Sequence, residues 1–512
     1  MGSDRGQEAY AELRGRLTEV HDVTKAMFLL AWDQRTMMPA NGAPVRSEKL
    51  ATLSKLAHDL FTSDDVGRLL DDLAAYGESL PYESDEASLI RVARRDYERE
   101  RRVPADLRSE LTRAGSSGYE AWIDARARSD YASFLPHLQR NVELRRRYAD
   151  CFEADEPYDA LLEDYEPGMK AADVREVFDV LKPELIGLVR AVADAEGDVD
   201  SSFLRGSFPA DRQRQLSLAA LERLGFDASS WRLDTTVHPF ASSMSTGDIR
   251  LTTRFKEDEI SDALFSTMHE FGHGVYEHNV DPALERTLLC RGASMSLHES
   301  QSRMWENLVG RSRPFWRFFY PTFQSIFPEF ESVDEDAFYR AVNKVEPSLL
   351  RVESDEVTYS LHIILRFELE QEMLSGDLDL SDLPEAWTSR MEEYLGVEVT
   401  DDAHGVLQDT HWSAGSLGYF PTYALGNVVS LQIWEQALAA MPDLYDQIGR
   451  GEFGQLRAWL RDQLYRHGRK LQPKELLERI TGGGLDPAPY LRYLSGKVGD
   501  LYGIEAPVGS GR

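Results

Sequence analysis

The sequence predicts a mostly α-helical fold with one small β-sheet near its middle. Residues 1 to about 225 repeat apolar side chains at spacings of three and four, as at Tyr10, Leu13 and Leu17. Helical spacing returns from Ser294 toward the end of the chain. Residues 231–255 instead alternate apolar and polar side chains and are rich in β-formers. The strands are therefore expected between two helical regions.

The composition indicates a globular protein with an acidic surface. Hydrophobic residues make up 42% of the chain and charged residues 28%, and 88 acidic against 57 basic residues give a net charge of −31. Nucleic acids and anionic membranes need a basic face, so neither is expected as a partner. The longest apolar run near the start, 26–32, is too short to span a bilayer and follows no basic segment. We therefore predict a cytoplasmic protein in which Cys151 and Cys290 are reduced thiols.

The N-terminal region divides at turn-forming residues. Residues 37–42 break the first helical pattern, and another helix begins near Ser47. Residues 84–114 are dense in charge, and a solvated helix face with ion pairs explains their basic run better than a binding patch does. A loop at 163–169 precedes a long helix that ends at about residue 195.

The β-segment has two alternating stretches, 231–240 and 248–254, separated by turn-forming residues at 242–247. This pattern predicts a hairpin or small sheet immediately before the next helix. An edge of such a sheet can hold a peptide by strand addition. A plain β cover over the following helix explains the same pattern equally well.

The most specific motif of the chain is His-Glu-Phe-Gly-His at residues 269–273. Histidines four apart on a helix share one face, so both imidazoles can reach one metal ion at the ~2.0–2.1 Å typical of zinc. Glu270 is then placed to accept a proton from a water held by the metal. Two ordinary histidines on a helix are the alternative. With 12 histidines in the chain, such a string is expected by chance only roughly 0.02–0.03 times, which favours the metal site.

A zinc site of this kind needs a third protein ligand. Glu277 lies one turn further along the metal helix, which is too far. The candidates on the next helix, predicted at 294–310, are Glu299, Glu306 and His298. Glu299 is favoured over Glu306 because it lies nearer the start of that helix.

Possible hydrogen-bond donors to a substrate occur in glycine-rich and turn-rich segments. Such donors stabilise the oxyanion of peptide hydrolysis. Each one taken alone is better explained as a buried, hydrogen-bonded core residue, but their occurrence together in such segments favours a substrate site. The candidates are His238, His411, Tyr419 and Tyr423.

Two arginines in apolar or β-like surroundings, Arg250 and Arg351, are candidates for binding the terminal carboxylate of a peptide. The alternative is that each pairs with a nearby acid. For Arg250 that acid is Asp248, and for Arg351 it is Glu353 or Asp355.

The remaining elements are predicted from helical spacing and turn formers. Residues 401–419 are turn-rich. Helices are predicted at 313–326, 334–343, 355–375, 422–440 and from 453 onward.

Several motifs occur together in a fixed order. They are His238-Pro239-Phe240, Asp248-Ile249-Arg250-Leu251-Thr252, His269-Glu270-Phe271-Gly272-His273, His298-Glu299-Ser300-Gln301, Leu350-Arg351-Val352-Glu353-Ser354-Asp355 and Gly405-Val406-Leu407-Gln408-Asp409-Thr410-His411-Trp412. With these motifs the chain resembles the carboxypeptidase Taq family of thermostable zinc metallocarboxypeptidases over nearly its whole length. Ser354 and Leu350 depart from the usual alanine and isoleucine, and both changes are mild.

The resemblance implies a mostly α, two-lobed metallopeptidase with a deep active-site groove, similar to neurolysin and angiotensin-converting enzyme. It implies one domain over 1–512, in which about 1–225 form a helical cap and groove wall and 226–512 form the catalytic region. It also implies a homodimer that removes C-terminal residues from peptides with broad specificity. Its cofactor would be one Zn²⁺ per subunit, for which Co²⁺ or Mn²⁺ can substitute.

The resemblance also assigns roles to the motif residues. His269, His273 and Glu299 would be metal ligands, Glu270 the general base and Arg351 the carboxylate anchor. By the resemblance, His238, His411 and Tyr423 would line the substrate site, and Asp248 and Arg250 would support its geometry. We also expect Tyr419 to contact substrate, and Gln408 and Asp409 to support the site.

Two other functions fit parts of the same pattern. An oligoendopeptidase of the same fold would share the metal chemistry but would tolerate a peptide with an amidated C-terminus. A helical binding scaffold with a vestigial motif would have no chemical need for Glu270.

Overall fold

The computed structural model describes residues 3–195 and 199–504 and confirms a mostly α-helical protein with one small sheet. Every helix that it describes is too short or too polar to cross a lipid bilayer.

Helices occupy the N-terminal region almost without interruption. In chain order they are α1 (Ser3–Thr36), α2 (Ala43–Phe61), α3 (Asp64–Ser79), α4 (Asp85–Arg102), α5 (Ala105–Arg128), α6 (Tyr131–Ala149), α7 (Pro157–Leu162), α8 (Ala171–Ala193) and α9 (Ala210–Leu224). The first helix ends directly before the predicted break at 37–42. The Ser63 hydroxyl caps α3 by accepting a hydrogen bond from the N–H of Val66.

The predicted β-segment is a sheet of three strands, β1 (Trp231–Thr235), β2 (Ala241–Ser245) and β3 (Asp248–Thr253). The central strand β3 runs parallel to β1 and antiparallel to β2. The prediction of a turn over 242–247 was wrong for most of these residues. They belong to β2, and only Thr246 and Gly247 form the turn. Pairing with β3 outweighs the turn preference of the serines in β2.

Helices form most of the remaining chain. They are α10 (Ser261–His278), α11 (Met295–Arg303), α12 (Arg313–Ile326), α13 (Glu335–Val342), α14 (Tyr359–Ser375), α15 (Leu383–Leu395), α16 (Pro421–Ala440), α17 (Leu444–Gly449), α18 (Gly454–Gln463), α19 (Pro473–Thr481) and α20 (Ala488–Tyr502). Helix α11 continues into a π-helical segment, Met304–Gly310. Helix α14 begins later than predicted because the Asp355 carboxylate accepts hydrogen bonds from the N–H groups of Val357 and Thr358 in a turn.

The chain divides into two compact units by its internal contacts. The first falls within residues 1–101, 202–339 and 436–480, and the second within 102–201, 340–435 and 481–512. Each unit therefore contains residues from both sides of the boundary near 225. The organisation as one domain with a cap and a catalytic region stays a prediction.

The first unit has an aromatic core built largely by α12. The buried face of this helix carries Phe315, Trp316, Phe319 and Phe323. The ring of Phe338 on α13 lies 4.5 Å from that of Trp316 and 4.6 Å from that of Phe323, measured between centroids. Aromatic pairs at these separations add to the stabilisation from apolar burial.

The second unit has α14 at its centre. This helix is apolar on most sides and is buried over nearly its whole length, as expected for a helix with neighbours all round. The ring of Phe367 contacts those of Tyr158 and Phe178 edge to face, at 5.3 and 5.2 Å. Two charged residues of α14, Arg366 and Glu370, are fully buried and need polar partners.

Candidate metal centre

His269, His273 and Glu299 converge in the first unit. Oε2 of Glu299 lies 3.7 Å from Nε2 of His269 and 3.4 Å from Nε2 of His273. One ligand atom from each residue lies within 4.8 Å of the other two. We call these three residues the metal centre.

Two glycines place the metal helix α10 between the sheet and α11. A Cβ atom at Gly272 would overlap the backbone of Gln301, so the helices touch at this position. On the opposite face, a Cβ atom at Gly274 would lie 2.5 Å from the ring of Trp231. Side chains at either glycine would push α10 away from its neighbours. The close crossing brings Glu299 of α11 to the histidines of α10.

The second nitrogen of each histidine is turned to another partner. Nδ1 of His269 lies 2.9 Å from Oε2 of Glu306, and Nδ1 of His273 lies 2.7 Å from Nδ1 of His298. The Nε2 atoms are left facing the Glu299 carboxylate. Two imidazoles and one carboxylate, with hydrogen-bonded remote nitrogens, are a donor set that fits a divalent metal ion.

The electrostatics of the centre favour a cation. Burial works to raise the pKa of Glu299, but the Arg303 guanidinium and the two histidines outweigh burial and hold that pKa far below its ordinary value. Oε1 of Glu299 accepts a hydrogen bond from Nε of Arg303 at 2.8 Å. Burial lowers the pKa of His273 to about 4, so its imidazole is neutral as a metal ligand requires.

Two carboxylates lie close to the His269 imidazole. Burial works to lower its pKa, but the carboxylates of Glu299 and Glu306 outweigh burial and raise the pKa. Burial likewise works to raise the pKa of Glu306, and His269, Arg303 and Arg311 lower it to about 2. The two ionised carboxylates concentrate negative charge where a cation would bind.

Glu270 is buried next to the centre. Its Oε2 atom has no hydrogen-bond partner within the described parts of the chain. Burial raises the pKa of Glu270 to about 7. A carboxyl group with this pKa can accept and return a proton near neutral pH.

The candidates for the third ligand take different positions. The structure brings Glu299 to the Nε2 atoms and places Glu306 and His298 behind the histidines, at the Nδ1 atoms. Glu277 lies one turn beyond His273, as expected, and faces His298. Sequence reasoning did not foresee Arg303, although its spacing of four from Glu299 on a helix is the pattern of an ion pair.

The candidate arginine Arg351 lies in the second unit, in a buried group that we call the arginine cluster (Arg351, Arg366, Gln408, Asp409, His411). Nη2 of Arg351 lies 2.7 Å from Oδ1 of Asp409, and Nε of Arg366 lies 2.6 Å from Oδ2 of the same carboxylate. The alternative prediction that Arg351 pairs with Glu353 or Asp355 was therefore wrong, because folding brings the distant carboxylate of Asp409 to its guanidinium. Gln408 accepts hydrogen bonds from the backbone N–H of Arg351 and from Nη2 of Arg366.

The cluster has an excess of positive charge. Two guanidiniums share the single carboxylate of Asp409, whose pKa they hold far below its ordinary value against the effect of burial. Burial lowers the pKa of His411 to about 4, so this imidazole is neutral at pH 7. A buried group with one uncompensated positive charge is suited to an anion.

Tyrosines adjoin His411 in the same unit. The hydroxyl of Tyr423 lies 3.4 Å from Nε2 of His411, and the ring of Tyr419 lies 5.5 Å from the imidazole. These three candidates are thus brought together. Sequence reasoning missed Arg366, for which the signal was a lone arginine inside the apolar pattern of α14.

The candidates on the sheet lie in the first unit. Arg250 forms a two-point ion pair with Asp248, at 2.9 Å for both hydrogen bonds, which confirms the pairing offered as the alternative for this arginine. Its guanidinium also lies 4.5 Å from the ring centre of Trp32 on α1. His238 is exposed in the loop between β1 and β2.

The chain is similar to metallocarboxypeptidases over nearly its whole length. Residues 12–498 match the model of the carboxypeptidase Taq (M32) metallopeptidase family. Carboxypeptidase 1 of Bacillus subtilis is 38% identical over 488 residues, which are 95% of this chain and 97% of that protein. Thermostable carboxypeptidase 1 of Thermus thermophilus is 41% identical over 487 residues, which are 93% of this chain and 95% of that protein. The crystal structure of the M32 carboxypeptidase from Deinococcus radiodurans R1 has a TM-score of 0.94 at 41% identity, covering 97% of this chain and 100% of that one.

Proposed function

The chain belongs to the carboxypeptidase Taq (M32) metallopeptidase family and is a metal-dependent carboxypeptidase, and we propose that its metal centre and Glu270 carry out the hydrolysis. In this proposal His269, His273 and Glu299 hold the metal ion and Glu270 is the general base. The observation that carries it is the convergence of two Nε2 atoms and one carboxylate oxygen beside a buried carboxyl group.

When bound in this donor set, a divalent ion would polarise a substrate carbonyl and lower the pKa of a water molecule. Glu270 takes a proton from the attacking water and passes it to the nitrogen of the leaving amino acid. Its unpartnered Oε2 atom leaves it free for both transfers, and its pKa of about 7 suits each direction. Burial of the carboxyl group keeps bulk water from competing for the proton.

Arg351 is proposed as the anchor for the terminal carboxylate of the peptide. The excess positive charge of the arginine cluster supports this role, because an added carboxylate would neutralise it. Asp409 and Gln408 would hold the guanidinium in place. The residues proposed to contact substrate or to donate to the oxyanion are His238, His411, Tyr419 and Tyr423, and those proposed to support the site from the sheet are Asp248 and Arg250.

Further details of the proposal rest on the family. We propose zinc as the ion, one per subunit, although two imidazoles and one carboxylate also accept cobalt or manganese. On the same ground we propose broad specificity, a homodimer, a two-lobed shape with a deep groove and a single peptidase domain over 1–512. We also propose a cytoplasmic location, for the reasons given in the sequence analysis.

The family and the relatives are carboxypeptidases, so an oligoendopeptidase is not supported. The deciding experiment uses a peptide blocked at its N-terminus, offered with a free C-terminus and as the C-terminal amide. Release of free amino acid should require metal, stop on chelation and be largely lost with the amide. Internal cleavage of longer peptides that is indifferent to the amide would contradict the roles assigned to the arginine cluster. Chelator-insensitive release would contradict the metal centre.

A further inference from the structure

His298 meets the metal ligand His273 edge to edge. Their Nδ1 atoms are 2.7 Å apart, while the ring centroids are 4.6 Å apart and the planes differ by 20°. The centroids are much farther apart than the nitrogens, so the rings join through their nitrogen edges. This is the geometry of an N–H···N hydrogen bond, in which one nitrogen donates and the other accepts.

The other nitrogen of His298 faces Glu277. Nε2 of His298 lies 3.0 Å from Oε1 of Glu277, and the N–H of Gly292 donates to the same oxygen at 3.0 Å. Burial works to raise the pKa of Glu277, but hydrogen bonds from His298 and from the backbone N–H of Gly292 help to lower that pKa below its ordinary value. The carboxylate is therefore ionised and can only accept hydrogen bonds.

Packing fixes the His298 ring in this position. The ring of Tyr276 lies nearly parallel to it, with 5.5 Å between centroids. A Cβ atom at Gly292 would lie only 2.7 Å from Cδ2 of His298, so the Gly292 backbone packs closely against the edge of the ring. The imidazole has little room to rotate away from Glu277 and His273.

These contacts determine where the protons lie. Because Glu277 only accepts, Nε2 of His298 carries the proton that it donates. In neutral His298, Nδ1 is then an acceptor, so Nδ1 of His273 must be the donor. That tautomer of His273 leaves the lone pair on Nε2, the atom that faces Glu299 and His269.

We propose that Glu277 and His298 form a positioning relay that fixes His273 in its metal-binding tautomer and thereby sets the metal affinity of the centre. The inference rests on the proposed function of His269, His273 and Glu299 as ligands. His298 touches neither the ion nor the substrate in this proposal. It acts through His273, as Glu306 acts through the other histidine.

The test measures the dissociation constant of the apoprotein for Zn²⁺ by competition with a chelator. His298→Gln carries an amide to the position facing Glu277 but leaves no acceptor for His273, so zinc should bind about 10- to 100-fold more weakly. His298→Asn places its amide oxygen where Nδ1 lies and restores an acceptor for His273. Its zinc affinity should remain close to that of the wild type.

His278→Gln is the matched control. His278 lies on the same helix, one residue after Glu277, and its Nδ1 atom faces the Thr246 carbonyl oxygen at 2.6 Å, outside the relay. This variant should bind zinc like the wild type. Thermal unfolding of the apoproteins identifies any variant that has lost its fold.

The outcomes separate the relay from the proposed function. Unchanged zinc affinity in His298→Gln would overturn the relay, as would an equal loss in His298→Asn and His298→Gln. A wild-type protein that does not bind zinc, cobalt or manganese would contradict the ligand set itself, and the relay with it.

Discussion

Gly272 and Gln301 are in direct backbone contact. A Cβ atom at Gly272 would overlap the Gln301 carbonyl oxygen and would lie 2.5 Å from Cα of Ser302. The metal helix and α11 can cross here only because residue 272 has no side chain. The same crossing sets Glu299 opposite the two histidines.

Gly272→Ala should destabilise the protein and weaken the metal centre together. The added methyl group must displace backbone, and overpacking of this kind costs about 1–3 kcal/mol or more. A lower unfolding temperature and a higher dissociation constant for zinc are expected. Gly15→Ala is the control, because in the described part of the chain nothing beyond its own stretch of helix lies within 4 Å of its Cβ position. That change inside α1 should stabilise by about 0.5–1 kcal/mol. Unaltered stability and zinc affinity in Gly272→Ala would contradict the role of the crossing.

Glu270→Gln should lower kcat/KM at least about 10²-fold while zinc stays bound, because the amide cannot accept the proton. The unfolding temperature should not fall, since the substitution removes a carboxyl group whose ionisation is opposed by burial. Activity and zinc content are measured on the same preparation. Near-normal activity in the zinc-loaded variant would rule out Glu270 as the general base.

Arg351→Ala should raise KM for a peptide with a free C-terminus by roughly 10- to 150-fold, corresponding to the about 1.5–3 kcal/mol of a charged hydrogen bond. The slow reaction of the C-terminal amide should change little. The fold should survive, because Asp409 keeps its ion pair with Arg366. Arg351→Lys keeps the charge without the two-pronged geometry, so its KM should lie between those of the wild type and Arg351→Ala. An equal loss on acid and amide would mean that Arg351 does not recognise the carboxylate.

Ionised Asp96 should stabilise the folded protein, and this stabilisation should be lost at acidic pH. Its carboxylate pairs with Arg469 and Arg95, and these guanidiniums outweigh burial and lower its pKa to about 2. A depressed pKa stabilises the folded state above the ordinary pKa near 4 and loses that effect as the pH falls toward 2. The free energy of unfolding should therefore differ between wild type and Asp96→Asn at pH 6. That difference should shrink between about pH 4 and pH 2. Urea unfolding over this range measures it, and a difference that does not change with pH would exclude this titration.

Local patterns predicted much of the fold. The repeats of three and four located most helices within a few residues, because helical periodicity is a property of consecutive residues. The small sheet was also predicted, but most of its edge strand β2 was assigned to a turn. The serine-rich segment 241–245 has a weak intrinsic preference for strand structure. It forms a strand because the neighbouring β3 provides its hydrogen-bond partners.

The partners within the arginine cluster could not be predicted from local sequence patterns either. A carboxylate close in sequence was the obvious partner for Arg351, yet Asp409 lies 58 residues away along the chain. Arg366, the second partner of Asp409, lies within the apolar pattern of α14, so sequence reasoning did not single it out. Residues that come together only through folding have no regular spacing in the sequence, so their contact cannot be predicted from it.

The sequence by itself determined the pairing of His269 with His273 and the position of Glu270, because four residues make about one helical turn. Only the tertiary structure decided between Glu299 and Glu306. They lie seven residues apart, which returns to the same face of a helix, so periodicity cannot separate them. The crossing at Gly272 directs Glu299 to the Nε2 atoms and leaves Glu306 at Nδ1 of His269. Backbone geometry fixes which side chains share a face, whereas the packing of two helices fixes which of those side chains meet.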